Sequence, residues 1–387
     1  MNGTIYMPVG EVCSSISDTY REKKNMVTLI NTSDVLEGRV LNHERVPNSN
    51  LKGQFKKTFQ RDDILYSEIR PQNRRFAYVD FSPIDYIAST KLMVIRAKKD
   101  VVSPKYLYYF LKNSSTVAEL QLLAETRSGT FPQITFSEVA NLTIPVPSLA
   151  VQEVIVQTMQ CLEDKITCNE QINDNLQQQA FSVFDNLIAN AENNDYTLSD
   201  YAFLNPKRTL AKNQVARSID MSQLSTSGAF PSGWEMKPFN GGMRFTNGDT
   251  LLARITPCLE NGKTAFIDFL DDGEVAFGST EYIVLAPKND TPPEMLYCLA
   301  RYPAFVDYAV KNMNGSSGRQ RVSAETVGQY RLPLFDKHSL VLFKEVVSPM
   351  FLKMRYNSLE NMRLAELRDA LLPKLMSGEI DVSAVQL

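Results

Sequence analysis

The chain has 387 residues, of which 43% are hydrophobic and 22% are charged, and its net charge is −3. This length allows two or three domains, and no apolar run approaches membrane-spanning length. The N-terminus lacks the basic stretch and apolar core of a signal peptide, and five scattered cysteines are typical of free thiols in a reducing compartment. A cytoplasmic protein without membrane contact is therefore expected.

The charge is distributed unevenly along the chain. Residues 1–150 carry a net charge of +4, whereas residues 151–195 carry −7. The acidic segment fits a solvated helix face, and it also fits a helix that points away from a polyanion bound by the domains.

Residues 1–147 are predicted to form a mixed, mainly β domain. Period-two alternation and turn residues predict strands at 26–30, 63–70, 75–81 and 90–97. Two helices follow, the first from Pro104 and the second ending near Glu125. An exposed loop at 126–135 and a last strand lead into a long helix.

The predicted helix at 148–190 carries an unbroken heptad seam. Its seam positions are Ile155, Met159, Leu162, Ile166, Asn169, Asn173, Leu176, Ala180, Val183 and Leu187. The same pattern recurs 188 residues later, from Phe343 to Leu375, with asparagines again at Asn357 and Asn361. A second spacer helix is therefore predicted at 336–380, followed by a tail at 381–387.

Residues 191–335 repeat the order of the first domain. The segment 248–257 aligns with 62–71, and the segment 278–290 aligns with 88–100. The segment 316–321 is aligned with 127–132, so each half places a basic polar loop at one position. We predict a tandem duplication of class α+β, with each mainly β domain followed by one long helix.

The four asparagines predict how the helices meet. In each helix they straddle the midpoint of the seam, so an antiparallel pair brings both asparagine pairs into one central layer. There they can hydrogen-bond, whereas a shifted register would bury them against apolar side chains. Asn169, Asn173, Asn357 and Asn361 are the predicted register residues. Parallel pairing would align them too, but the intervening domain favours the antiparallel arrangement.

No catalytic apparatus is recognisable. The chain lacks glycine-rich phosphate loops, and its two histidines, His43 and His338, belong to no motif, so no metal, cofactor or catalytic residue is predicted. Glu235 and Lys237 have the Glu-x-Lys spacing of some nucleases but lack a preceding Pro-Asp. A binding protein is the interpretation that remains.

Basic and polar residues on the predicted loops are the candidate DNA contacts, because such side chains neutralise phosphates and pair with base edges. Each one alone also fits an ordinary surface charge. The first domain contributes Lys52, Lys56, Lys57, Arg70, Arg74, Arg75, Arg127 and Gln133. The second contributes Lys207, Arg208, Arg244, Arg254, Lys263, Arg319, Gln320 and Arg321.

Three segments resemble the specificity subunits of type I restriction-modification systems. They are IPVPSLAVQEVIV at 144–156, DKITCNEQINDNL at 164–176 and RDALLPKLMSGEIDV at 368–382. The resemblance implies two target-recognition domains that each read half of an interrupted sequence in double-stranded DNA. It also implies a helix pair that spaces the domains and docks two methyltransferase subunits, which methylate adenine N6, with motor-nuclease restriction subunits joining the complex.

Two other classes stay open at this point. The chain could serve a different methyltransferase or nuclease as its recognition subunit, or it could be a scaffold that binds two protein partners without DNA. One departure from the family is Pro349, which is expected to kink the second helix near Glu345.

Overall fold

The computed structural model describes residues 4–22, 24–49, 53–127, 130–191, 196–316 and 318–382, with the side chain of Arg127 left out. The chain forms two compact units, Met1–Glu163 with Ala365–Leu387, and Asp164–Leu364. Each unit therefore contains one globular domain and parts of both long helices.

The described residues of the first domain form two four-stranded sheets and two small two-stranded sheets, β1-β12 and β4-β5. One four-stranded sheet is antiparallel, in the order β2-β11-β8-β9, and the other is mixed, in the order β6-β3-β10-β7 with β3 and β10 parallel. The bounds are β1 Ile5–Pro8, α1 Val9–Val12, β2 Cys13–Ile16, β3 Met26–Ile30, β4 Val35–Leu36, β5 Arg39–Val40, β6 Val46–Pro47, β7 Phe55–Lys57, β8 Ile64–Ser67, β9 Phe76–Tyr78, β10 Tyr86–Ser89, β11 Leu92–Ala97, α2 Pro104–Lys112, α3 Ser114–Arg127, α4 Phe136–Asn141, β12 Thr143–Val146 and α5 Leu149–Ala189.

The second domain repeats this architecture. Its antiparallel sheet has the order β14-β21-β18-β19, and its mixed sheet has the order β16-β15-β20-β17 with β15 and β20 parallel. The bounds are β13 Tyr196–Thr197, α6 Leu198–Tyr201, β14 Ala202–Leu204, β15 Val215–Ile219, β16 Glu235–Pro238, β17 Met243–Phe245, β18 Thr250–Ala253, β19 Thr264–Phe266, β20 Ala276–Gly278, β21 Tyr282–Pro287, α7 Pro293–Arg301, α8 Pro303–Lys311, α9 Ala324–Gly328, β22 Arg331–Leu332 and α10 Lys337–Ser377.

The central strands β8 and β11 are buried on both faces, which explains their nearly continuous apolar sequences. Because side chains alternate across a strand, Ile64 and Tyr66 enter the core that contains α2, whereas Leu65 enters the core next to the mixed sheet. In the second domain Leu252 and Leu251 divide between two cores in the same way. The central sheet of each domain therefore lies between two apolar layers.

Strand register confirms the duplication at the level of single residues. Ile64 lies opposite Ile95, and the aligned Thr250 lies opposite Leu285. Likewise Cys13 pairs with Ala97, and Ala202 pairs with Pro287. The predicted fold class, a tandem repeat of a mixed, mainly β domain and a long helix, is confirmed.

Each long helix contributes to two cores. In the first unit, Ile155 and Met159 of α5 share a core with Leu372 and Leu375 of α10. In the second unit, Phe184 near the end of α5 meets residues near the start of α10, including Phe343 at a ring distance of 6.3 Å. In each unit the N-terminal part of one helix shares a core with the C-terminal part of the other. The pairing is therefore antiparallel, as predicted.

Asparagines bridge the two helices within the second unit. The Asn169 side-chain amide donates to Asn361 Oδ1 at 2.8 Å, and that of Asn357 donates to Asn173 Oδ1 at 2.8 Å. Asn169 and Asn357 are almost fully buried. The expected asparagine contacts are present, while their role in fixing the register stays a prediction.

The second helix continues through Pro349 as one α-helix of 41 residues. Pro349 lies on its exposed side, where the missing N–H is tolerated at a lower cost than inside a core. The kink expected near Glu345 stays a prediction. In the part of the chain that the structure describes, none of the helices combines the length and the apolar composition of a membrane span.

Candidate nucleic-acid interface

The polar loop before the last short helix is tied to the end of a central strand in both domains. In the first domain Arg70 N donates to Pro132 O at 3.1 Å and Ile134 N donates to Glu68 O at 2.9 Å. In the second, Thr256 N donates to Gln320 O at 3.1 Å and Val322 N donates to Arg254 O at 3.0 Å. An equivalent short β-bridge therefore holds the loop in each domain.

This bridge corrects the sequence alignment of the loops by one residue. Gln133 lies opposite Ile69, and Arg321 lies opposite Ile255, so Arg321 is equivalent to Gln133 rather than to Pro132. A capping residue follows each bridge: Thr135 forms a capping box with Glu138, and Ser323 accepts from Thr326 N at 2.9 Å. The bridge and the helix cap together fix the C-terminal end of each loop.

A strained turn lies next to the first of these loops. Arg70 and Arg74 have φ values of 44° and 52°, and they flank the short 3-10 turn Pro71–Asn73. Left-handed backbone costs a non-glycine residue about 1 kcal/mol or more and persists only where neighbouring contacts hold it. Here Asn73 N donates to Arg70 O at 2.8 Å and Arg74 N donates to Pro71 O at 2.9 Å. The Arg70 side chain remains exposed.

Several predicted DNA-contact side chains make no hydrogen bond or ion pair with other described residues. They are Lys56, Arg70, Lys207, Arg319 and Gln320. All are exposed except Gln320, which is half-buried and whose backbone N–H donates to Thr256 Oγ1 at 3.1 Å. The Arg244 side chain also makes no hydrogen bond or ion pair with other described residues. Its guanidinium lies 5.7 Å from the Phe239 ring centre. These six side chains are available to a ligand.

Other candidates in the first domain already have partners within the protein. The Lys57 ammonium donates to Thr90 O and Leu92 O at 3.1 and 2.8 Å, and burial lowers its pKa. Arg74 donates to Ser114 Oγ at 2.9 Å. Arg75 donates to Ser33 O at 2.9 Å. A structural role accounts for these three side chains, and their contact with DNA stays a prediction.

Several candidate side chains of the second domain also have partners within the protein. Arg208 Nη2 lies 2.6 and 2.7 Å from the two Asp249 carboxylate oxygens, and Lys263 donates to Met221 O at 2.7 Å. Arg254 and Arg321 both approach Glu281. Lys52 and the side chain of Arg127 lie outside the described residues, so the predictions for them are unchanged.

A buried aspartate explains why Arg208 is held so firmly. Asp249 is 1% exposed, and its burial raises the pKa of the carboxyl to about 6 despite the neighbouring guanidinium. In the first domain the aligned Asp63 is also buried, and Arg96 binds both its oxygens at 2.7 Å. Each domain thus pairs the equivalent buried aspartate with an arginine from a different part of the chain, Arg96 of β11 in one and Arg208 of a loop in the other. The sequence alignment did not reveal this difference.

The Glu-x-Lys pair of the second domain is an ion-pair cluster. Lys237 Nζ lies 2.9 Å from Asp220 Oδ2 and 2.9 Å from Glu235 Oε2. Hydrogen bonds to these carboxylates raise the pKa of Lys237, which is the opposite of what a catalytic base requires. Within the described residues, no group of three or more His, Cys, Asp or Glu side chains could hold a metal ion.

Comparisons with known proteins agree with this geometry. Residues 6–178 match the family model described as type I restriction modification DNA specificity domain. The type I restriction enzyme HindI specificity subunit of Haemophilus influenzae is 29% identical, over 92% of this chain and 94% of that protein. The EcoAI specificity subunit of Escherichia coli is 34% identical over 33% of this chain and 22% of that protein.

A solved structure supports the fold independently. The type I restriction-modification system S subunit from M. genitalium has a TM-score of 0.54 and 16% identity, covering 97% of this chain and 96% of that one. This similarity supports a fold of duplicated domains and paired helices. Residues 6–178 thus match the DNA specificity domain of these systems, and nearly the whole chain is similar to a type I specificity subunit, as the sequence motifs predicted. Specificity subunits are non-catalytic components, and the methyltransferase and nuclease are other subunits.

Proposed function

We propose that this chain gives a type I restriction-modification complex its DNA sequence specificity. Each globular domain reads one half of a bipartite, interrupted target in double-stranded DNA. The observation that carries the proposal is the pair of polar loops, held by the same bridge but differing in side chains. One scaffold with two different loops suits the recognition of two different half-sites.

The candidate contacts divide by the chemistry available to each. Lys56 and Lys207 are exposed ammonium groups, which suit phosphate neutralisation. Arg319 and Gln320 lie on the bridged loop of the second domain. The donors of an arginine suit a guanine edge, and the donor and acceptor of a glutamine amide suit an adenine edge. In the first domain, Arg70 projects from the strained turn beside the equivalent loop.

The long helices have a separate role in this proposal. They set the spacing between the half-sites and dock two methyltransferase subunits, and motor-nuclease subunits join to form the restriction enzyme. Each helix has 41 residues, which corresponds to about 60 Å, longer than one turn of duplex at about 34–36 Å. The asparagine bridges support a fixed pairing between the helices.

Selection from random duplex DNA tests the proposal. The full chain, alone and with its methyltransferase subunit, is mixed with a random library, and bound duplexes are separated by mobility shift and sequenced. We expect two short conserved blocks separated by an unconserved spacer of fixed length. A single continuous block would contradict the bipartite function. Binding of the methyltransferase subunit without any retention of DNA would favour a protein scaffold.

A further inference from the structure

The bridged loops of the two domains end in side-chain clusters of opposite polarity. The backbone frame around them is the same: Glu68 N donates to Lys91 O at 3.0 Å, and Arg254 N donates to Glu281 O at 3.0 Å. With the bridges described above, Glu68 is equivalent to Arg254 and Lys91 to Glu281. The strand-end residue is thus an anion in one domain and a cation in the other, and its neighbour has the complementary charge.

In the first domain the lysine connects the strand end to the loop. Lys91 Nζ lies 3.3 Å from Glu68 Oε2 and 3.3 Å from Gln133 Oε1. Gln133 is the loop residue that forms the β-bridge. One cation therefore binds both the carboxylate that follows strand β8 and the side-chain amide of the loop.

In the second domain an anion occupies the same central place. Glu281 accepts from Arg321 Nε at 2.9 and 3.0 Å and from Arg321 Nη2 at 2.7 Å, and Arg254 Nε lies 3.9 Å away. The remaining Arg321 nitrogen, Nη1, donates to Arg319 O at 3.2 Å. Every nitrogen of the Arg321 guanidinium is therefore directed to a partner within its own domain.

We infer that Glu281 and Lys91 are positioning residues that set the direction of the adjoining DNA-reading loop, and that Arg321 anchors this loop and does not read a base. Positioning requires a complementary set of charges but not a particular sign, which fits the inversion between the domains. A base-reading arginine needs its nitrogens free to face a guanine edge. Those of Arg321 face Glu281 and the loop backbone, whereas the Arg319 side chain is exposed.

This inference rests on the proposed function and is tested by exchanging the cluster. The first variant, Glu281→Lys, places a cation against Arg254 and Arg321. The second, Glu281→Lys with Arg254→Glu and Arg321→Gln, installs in the second domain the set found in the first. Arg319→Ala is the control that changes an exposed loop side chain without touching the cluster.

Each full-length variant is co-expressed with the methyltransferase subunit, and N6-methyladenine is mapped by genome sequencing. We expect Glu281→Lys to lower methylation of the native target about tenfold or more, since it replaces attraction by repulsion. We expect the triple variant to recover methylation to within about threefold and to keep the same target. Arg319→Ala should relax one position of one half-site.

Three outcomes would overturn the inference: unchanged methylation in Glu281→Lys, a triple variant that folds but is not restored, or a restored variant with an altered half-site. The last would show that Arg321 reads a base. Melting temperatures report folding, and Glu281→Gln, which adds no repulsion, replaces Glu281→Lys if the latter unfolds. Absence of methylation with the wild-type chain would instead count against the proposed function.

Discussion

Among single residues, Asp249 has the clearest conflict between charge and surroundings. Its carboxylate is buried and its ionised form depends on Arg208. The folded-state pKa, about 6, lies above the ordinary 3.8. The contribution of this group to the free energy of unfolding is therefore present below about pH 3.8 and is lost as pH rises through 6.

Replacing Arg208 by methionine should expose this conflict. A buried carboxylate without its partner costs about 3–5 kcal/mol, so we expect Arg208→Met to lower the free energy of unfolding by that order at pH 7. The loss should shrink at pH 4.5, where Asp249 is protonated and needs no partner. Urea denaturation at both pH values measures it, and Lys207→Met, an exposed neighbour, is the control. Equal losses at both pH values would show that Asp249 is not the cause.

At the scale of elements, the asparagine bridges between the two long helices test whether polar contacts fix the helix register. Asn357 is buried, and its amide donates to Asn173. Asn357→Leu should cost about 1–3 kcal/mol, because it leaves a polar group of Asn173 without that partner. The double variant Asn173→Leu with Asn357→Leu should lose less than the sum of the single changes.

Denaturation of the full chain gives these values, with the exposed Asn175→Leu on the same helix as the control. Additive losses would mean that the two asparagines act independently, and the register role would then lack support. A stabilised double variant with altered DNA spacing would show that the polar layer selects one register over a competing one.

The sequence predicted both long helices and several of the central strands because their signals are local. A heptad seam repeated after 188 residues defines both helices, and period-two alternation located β3, β8 and β11. The clusters at the loop ends were not predicted, because Glu281 and Arg321 are 40 residues apart. Opposite charges at Lys91 and Glu281 were visible once the halves were aligned, but only the fold shows which loop residue meets them.

The one-residue error in aligning the loops has a related cause. Loops carry no periodic pattern, so the alignment depended on similar letters rather than on hydrogen bonds. The β-bridges at Gln133 and Arg321 correct it. The sequence likewise does not show the carbonyl that Lys57 meets or the carboxylate that Arg208 meets. Their contact with DNA stays a prediction.

For the whole molecule, the helix pair should act as the ruler between half-sites. Seven residues inserted between Asn169 and Asn173, and seven between Asn357 and Asn361, preserve the heptad seam and both asparagine bridges. Each helix becomes about 10 Å longer, or about three base pairs of duplex. We expect an unread spacer about three base pairs longer and unchanged half-sites, measured by mapping methylation genome-wide.

Insertion into only one helix is the matched control. It shifts one side of the pair against the other, so we expect loss of activity rather than a new spacer. A double insertion that remains active with the original spacer would mean that another part of the complex sets the distance.

Domain exchange tests the central claim most directly. Residues 1–147 are replaced by the equivalent segment of a relative with a different target, and methylated sites are mapped in cells that also express the methyltransferase subunit. If each domain reads its own half-site, one half of the target changes to that of the relative, while the other half and the spacer remain. Methylation of a target in which both halves have changed, or in which neither has, would contradict the account.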